Sequence, residues 1–195
     1  MRLPSLLVCA LLILPATLAA QASAVGIAEW GRPPLPSDSM PRTIAEAERL
    51  GARMPRPTAT NPVDSAAQAM ARGTSERKCV DVTALSIAQS GDFVVGPFDR
   101  YSAVWHTGYG KLWWQPRHIS TNETLPLVVR ASRLEPAGSD RVFGQSSLAR
   151  GGSPTGGIIS QTRFYPTGIH FPTTGTWLMV ATAGDNWGCF VFSFE

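Results

Sequence analysis

TWLMVATAGDNWGCFVFSF, residues 176–194, decides the fold. Side chains alternate between the two faces of a β-strand. Trp177, Met179 and Ala181 therefore share one face, and Leu178, Val180 and Thr182 the other. After the polar turn Gly184-Asp185-Asn186, Phe190, Phe192 and Phe194 line up on one face, with Cys189, Val191 and Ser193 opposite. This is a hairpin whose three phenylalanines point into a core and whose cysteine lies on the outward side.

Short apolar runs of the same texture occupy the chain back to Cys79: CVDVTALSI at 79–87, DFVVGPF at 92–98, YSAVWHT at 101–107, KLWWQ at 111–115, LPLVVRAS at 125–132, DRVFG at 140–144 and GGIISQTRFY at 156–165. Turn residues punctuate them every 8–12 residues or so, and no long helical pattern intervenes, which predicts an all-β antiparallel sandwich. A domain from 79 to 195 is long enough to bury one modest core.

The segment FPTTGTWLMVATAGDNWGCFVF, within Phe171–Phe194, resembles the closing hairpin of bacterial extracellular immunoglobulin-like domains. The resemblance implies an immunoglobulin-like architecture and no particular activity. A copper-carrier family of the same sandwich class ends similarly, with Asp-Gly-His in the turn. Here the turn reads Gly184-Asp185-Asn186-Trp187, without the histidine, so the expectation is no copper and no other cofactor.

Upstream the composition changes. MRLPSLLVCALLILPATLAAQASA, 1–24, has a basic residue, an apolar run and small residues at 22–24, the pattern of a secretory signal cleaved after Ala24. Its apolar run is short for a span, so no membrane span is expected after cleavage, and the protein is expected to be secreted or held in the periplasm or cell envelope. Residues 25–78 read as a Pro/Ala-rich, poorly ordered tail or linker. It holds one short helix over TIAEAERLGARM (43–54), which Thr43 would cap, with Glu46 as the returning partner and Ile44, Ala47 and Leu50 as an apolar stripe. One further helical turn is expected around Ala66–Arg72.

Removing the signal takes Cys9 with it and leaves Cys79 and Cys189, natural disulfide partners in an oxidising compartment. The alternatives are two buried thiols, or a metal site for which neither cysteine has a ligand-spaced neighbour. Without Arg2 the net charge falls from +3 to +2, and the basic residues are scattered. Nothing in that pattern calls for nucleic acid.

Trp113 and Trp114 would face opposite ways on one strand. Trp114 shares its face with Leu112 and reads as core. Trp113 keeps company with Lys111 and Gln115 and reads as outward. Tyr101, Trp105 and Tyr109 lie close in sequence, so these rings either fill the core and shield an edge or form an exposed platform. The platform reading makes Tyr109, Lys111, Trp113 and Gln115 a binding surface for protein or carbohydrate at the cell surface, on a non-enzymatic module.

Catalytic patterns are weak. His106, His118 and His170 show no metal-ligand spacing, so no metal is expected. No serine sits in a nucleophile elbow. Gly151-Gly152-Ser153-Pro154-Thr155-Gly156-Gly157 lacks the Lys-Ser/Thr of a phosphate loop. Asp92, Asp99, Glu123 and Glu135 are not paired by any motif. The alternatives are a hydrolase of extracellular polymer using a carboxylate from Asp99, Glu123 or Asp185, and a structural or inhibitory domain whose tail is the contact. Asn122-Glu123-Thr124 is a formal glycosylation sequon.

Overall fold

Strands Gly175–Ala183 (β10) and Asn186–Phe194 (β11) pair antiparallel, with Trp177 opposite Phe192, Met179 opposite Phe190 and Val180 opposite Cys189. Gly184 takes φ +64° at the first central position of the turn, where a type II′ hairpin reserves a place for glycine. Phe190 and Phe192 are fully buried, and Phe194 is partly buried against Phe171 and Phe192. The remainder of the computed structural model is built around this hairpin. Residues 40–98, 110–119, 125–138, 140–150 and 163–194 are described.

Two sheets share one core. The first runs β1 (Arg72–Thr74), β3 (Ala88–Ser90), β4 (Phe93–Gly96), β5 (Gly110–Pro116), β9 (Arg163–Ile169), β8 (Ala149–Arg150). The second runs β2 (Val80–Asp81), β11, β10, β6 (Leu127–Glu135), β7 (Arg141–Ser146). Phe93, Leu112 and Trp114 from the first meet Ala131, Trp177 and Phe190 from the second. The all-β expectation holds. The purely antiparallel one does not: β1 pairs parallel with β3, and β2 parallel with β11. Both parallel partners are short strands of the chain before Thr83 that arrive along a sheet edge instead of through a hairpin.

That same stretch departs from the expected tail. Thr43 caps the helix Ile44–Arg53 (α1), its side chain accepting from the Glu46 N–H at 3.2 Å, while Glu46 accepts from the Arg42 N–H at 2.7 Å. The stripe docks in part as expected: Ala47 is buried and Leu50 packs beside it, but Ile44 is 42 % exposed, and Gly51 and Met54 complete the contact in its place. They lie on Leu178, Val180, Trp187 and Cys189, the outer face of the second sheet. Contact is close: a Cβ added to Gly51 would stand 2.7 Å from the Trp187 ring. Small residues win over larger apolar ones here because the helix backbone lies against an indole.

A second helix, Ser65–Met70 (α2), capped by Asp64, covers the outer face of the first sheet, where Ala67 with Val63 and Ala71 packs on Ile87 and Val94. One segment thus covers parts of both outer faces. The boundary expected at Cys79 is accordingly not a division of this structure. Arg72–Thr74 is a strand of the first sheet.

Two links hold the segment. The Cys79–Cys189 disulfide joins it to β11 across 110 residues, with Cα atoms 4.4 Å apart. Arg77, its side chain 6 % exposed, donates to the carbonyls of Gly51 (2.6 Å), Met54 (2.5 Å), Pro55 (2.8 Å) and Asp185 (3.1 Å) and to the Asp92 carboxylate (3.0 Å). Asp92 also accepts from the Trp187 N–H at 3.1 Å. A guanidinium is suited to this because its fixed fork of donors can serve several carbonyls at once.

Candidate aromatic binding surface

Strand β5 places its two tryptophans as the alternation predicts. Trp114 is fully buried, its Nε1 donating to Thr167 Oγ1 at 2.8 Å and its ring edge-on to Phe93 and Phe190. Trp113 lies on the outer face, half-buried, opposite Pro166 on β9. Its ring centroid is 6.0 Å from that of Phe164, the planes tilted by 56°. Lys111, two residues along the same face, is exposed, and so is Pro166. The site is therefore a stepped apolar shelf, Trp113–Phe164–Pro166, with an ammonium at its side. It can stack, bury apolar area and attract negative charge.

Gln115 corrects the expected surface. It shares the face of Trp113, but it is fully buried beneath the segment that carries α2, where its Oε1 accepts from the Asp64 N–H at 3.3 Å. Asn61 closes the same seam, donating from its side chain to the Pro116 carbonyl (2.6 Å) and the Arg163 carbonyl (3.3 Å). Strand alternation gives the face of Gln115; its burial depends on residues about fifty positions earlier. Tyr109 lies outside the described residues. Phe164 and Pro166 were not expected in the site. The alternation of RFYPTGI, with Tyr165, Thr167 and Ile169 buried, marks both as outward.

The other candidates do not gather. His106 lies outside the described residues; His118 Nδ1 is 3.0 Å from the Ala59 carbonyl, and His170 is exposed. Among the described residues no group of three metal-ligating side chains comes together. Asp99, Glu123 and the Asn122 sequon lie outside the described residues. Asp92 is taken up by Arg77 and Trp187, and Glu135 is exposed at the end of β6. Among the described residues one carboxyl, Glu48, is displaced from its ordinary value. The Cys79 N–H donating to Glu48 at 3.1 Å holds it low; burial opposes this, and Lys78, also at 3.1 Å, adds to it. That group anchors α1 to the disulfide and is remote from the shelf in the fold.

No protein-family model matches the chain, and neither a curated protein nor a solved structure is similar to it.

Proposed function

We propose that the protein is a non-enzymatic binding module of the secreted or cell-envelope class, built on an immunoglobulin-like sandwich, which captures a protein or carbohydrate on the shelf of Trp113, Phe164 and Pro166. The observation that carries this reading is Trp113 itself: a large ring held on an outer sheet face by a second ring and left partly open beside an exposed lysine. The secreted assignment is supported by the leader pattern of 1–24, which lies outside the described residues, and by the Cys79–Cys189 disulfide. No helix among the described residues is long and apolar enough to cross a membrane.

The test is Trp113→Ala, scored for binding to immobilised envelope proteins and cell-surface polysaccharides. The variant should stay within about 1 kcal/mol of wild-type stability, as an outer-face truncation does. It should lose affinity by about 2 kcal/mol, roughly thirtyfold, as central aromatic anchors do. Unchanged binding by a folded variant would remove the shelf from the function.

A further inference from the structure

We infer that the partner taken on the Trp113 shelf is a second copy of this chain, whose proline-rich run Pro33–Asp38 lies across the rings as a polyproline II segment with Asp38 at Lys111. The inference rests on the binding-module reading above and names the partner.

What the shelf lacks selects its occupant. The outward positions of β5 and β9 are Lys111, Trp113, Gln115, Phe164, Pro166 and Gly168. Trp113 is paired with Gly96 on one side and Pro166 on the other, and Phe164 is paired with Ala149. Pro166 has no N–H, and its carbonyl accepts from Ser146 Oγ. None of the three shelf residues therefore presents a backbone edge that an extended peptide can join as a strand. A hydroxyl-rich ligand needs hydrogen bonds for the groups it buries. Gln115 is buried with its Oε1 taken by Asp64, and Gly168, opposite Lys111, has no side chain to offer. A polyproline II segment needs the least from such a surface. It makes no internal hydrogen bonds, keeps its backbone in water and docks its proline rings on aromatic side chains.

The chain carries a segment of that kind. Residues 32–38, which lie outside the described residues, read Arg-Pro-Pro-Leu-Pro-Ser-Asp. In a peptide of this sequence the prolines hold φ near −65°, and Pro33 and Pro36, three apart, fall on one edge of a three-residue turn. At about 3.1 Å per residue Asp38 follows Pro36 by about 6 Å. Lys111 stands two strand residues from Trp113, about 7 Å. A Pro36 seated on Trp113 thus brings a carboxylate to the ammonium at the side of the shelf.

The entry point of the chain assigns the run to a second copy. The Pro41 carbonyl accepts from Ser132 Oγ at 2.8 Å, and Ser132 is registered with Leu178 on the outer face of the second sheet, where α1 lies. The shelf is on the outer face of the first. Three residues span at most about 11 Å, while stacked sheets alone stand about 10 Å apart. Asp38, three residues before Pro41, cannot go round the edge of the sandwich to the Lys111 of its own chain.

The experiment follows the chain from Val25 to Glu195, oxidised, by analytical ultracentrifugation over a concentration series, with a synthetic peptide of residues 31–40 as the probe. Wild type should associate reversibly, the peptide should reverse the association, and salt should weaken it. Trp113→Ala and the double variant Pro33→Ala/Pro36→Ala should each be monomeric alone and should pair when mixed, since one keeps the run and the other the shelf. Asp38→Lys and Lys111→Glu should each weaken association about tenfold, and the two changes in one chain should restore it. A wild type that stays monomeric and ignores the peptide, or the two variants failing to pair when mixed, would overturn the inference. If Trp113→Ala still loses capture of an envelope protein or polysaccharide in that case, the second-copy assignment falls and the shelf stands. If Trp113→Ala changes neither association nor capture, the shelf falls with it.

Discussion

The two outer sheet faces are covered by one stretch of chain, and covered unequally. Over the second sheet, α1 lies directly on the Trp187 indole, with the disulfide beneath it and Arg77 tying its C-terminal carbonyls to Asp92. Over the first sheet, the six-residue α2 buries only Ala67 and stops short of Trp113. The sealed face is bound by covalent, ionic and close-packed contacts together. The half-open face is held mainly by small side chains, the hydrogen bonds of Asn61 and one from Asp64 to Gln115. The tightly closed face is the one whose contacts bear most on stability, and the partly uncovered one leaves Trp113 half-buried.

Arg77→Ala tests the sealed side most severely. It strips the partner from a mostly buried carboxylate and orphans several carbonyls, so unfolding free energy should fall by about 3–5 kcal/mol in denaturant titration. A loss below 1 kcal/mol would mean that α1 is held by the disulfide and packing alone. Gly51→Ala comes next. Its added methyl meets the Trp187 ring, and the expected loss is about 1–3 kcal/mol despite the better helix propensity of alanine.

Ala67→Gly is the counterpart on the open side. The helix cost is about 1 kcal/mol, and hydrogen exchange should show it as local opening across 62–70 with the β10–β11 amides still protected. Equal loss of protection in both places would make the two covers one cooperative unit. Glu48→Gln is the smallest. The folded carboxyl is held below 4.5, so its contribution is present above that pH and disappears as pH falls through the depressed value. The pair is substantially exposed, which limits the effect to on the order of a few tenths of a kcal/mol. Wild type and variant should differ near neutrality and converge in acid.

Much of the sheet structure was legible because period-two alternation is local. It placed Phe190 and Phe192 in the core and separated Trp113 from Trp114 by their neighbours alone. Within residues 40–78 the helix over 43–54 with its Thr43 cap and a helical turn near Ala66 were legible, but the docking of the segment was not, for a physical reason. The residues that dock them are Ala47, Gly51 and Ala67, which carry little hydrophobic signal, and Arg77, which reads as surface until five oxygen atoms surround it. Gln115 failed for a related reason, since its cover comes from a distant segment.

The pairing of early with late residues also sets an order of events in synthesis. A chain made from its N-terminus releases Ala47, Gly51, Arg77 and Cys79 long before Trp187 and Cys189 exist. Neither the α1 cover nor the covalent link can close until β10 and β11 have emerged, and contacts that span such separations form slowly. The stretch that carries α1 must therefore wait, uncommitted, for the last hairpin. A sequence low in large apolar side chains, as 40–78 is, can wait in that state without aggregating.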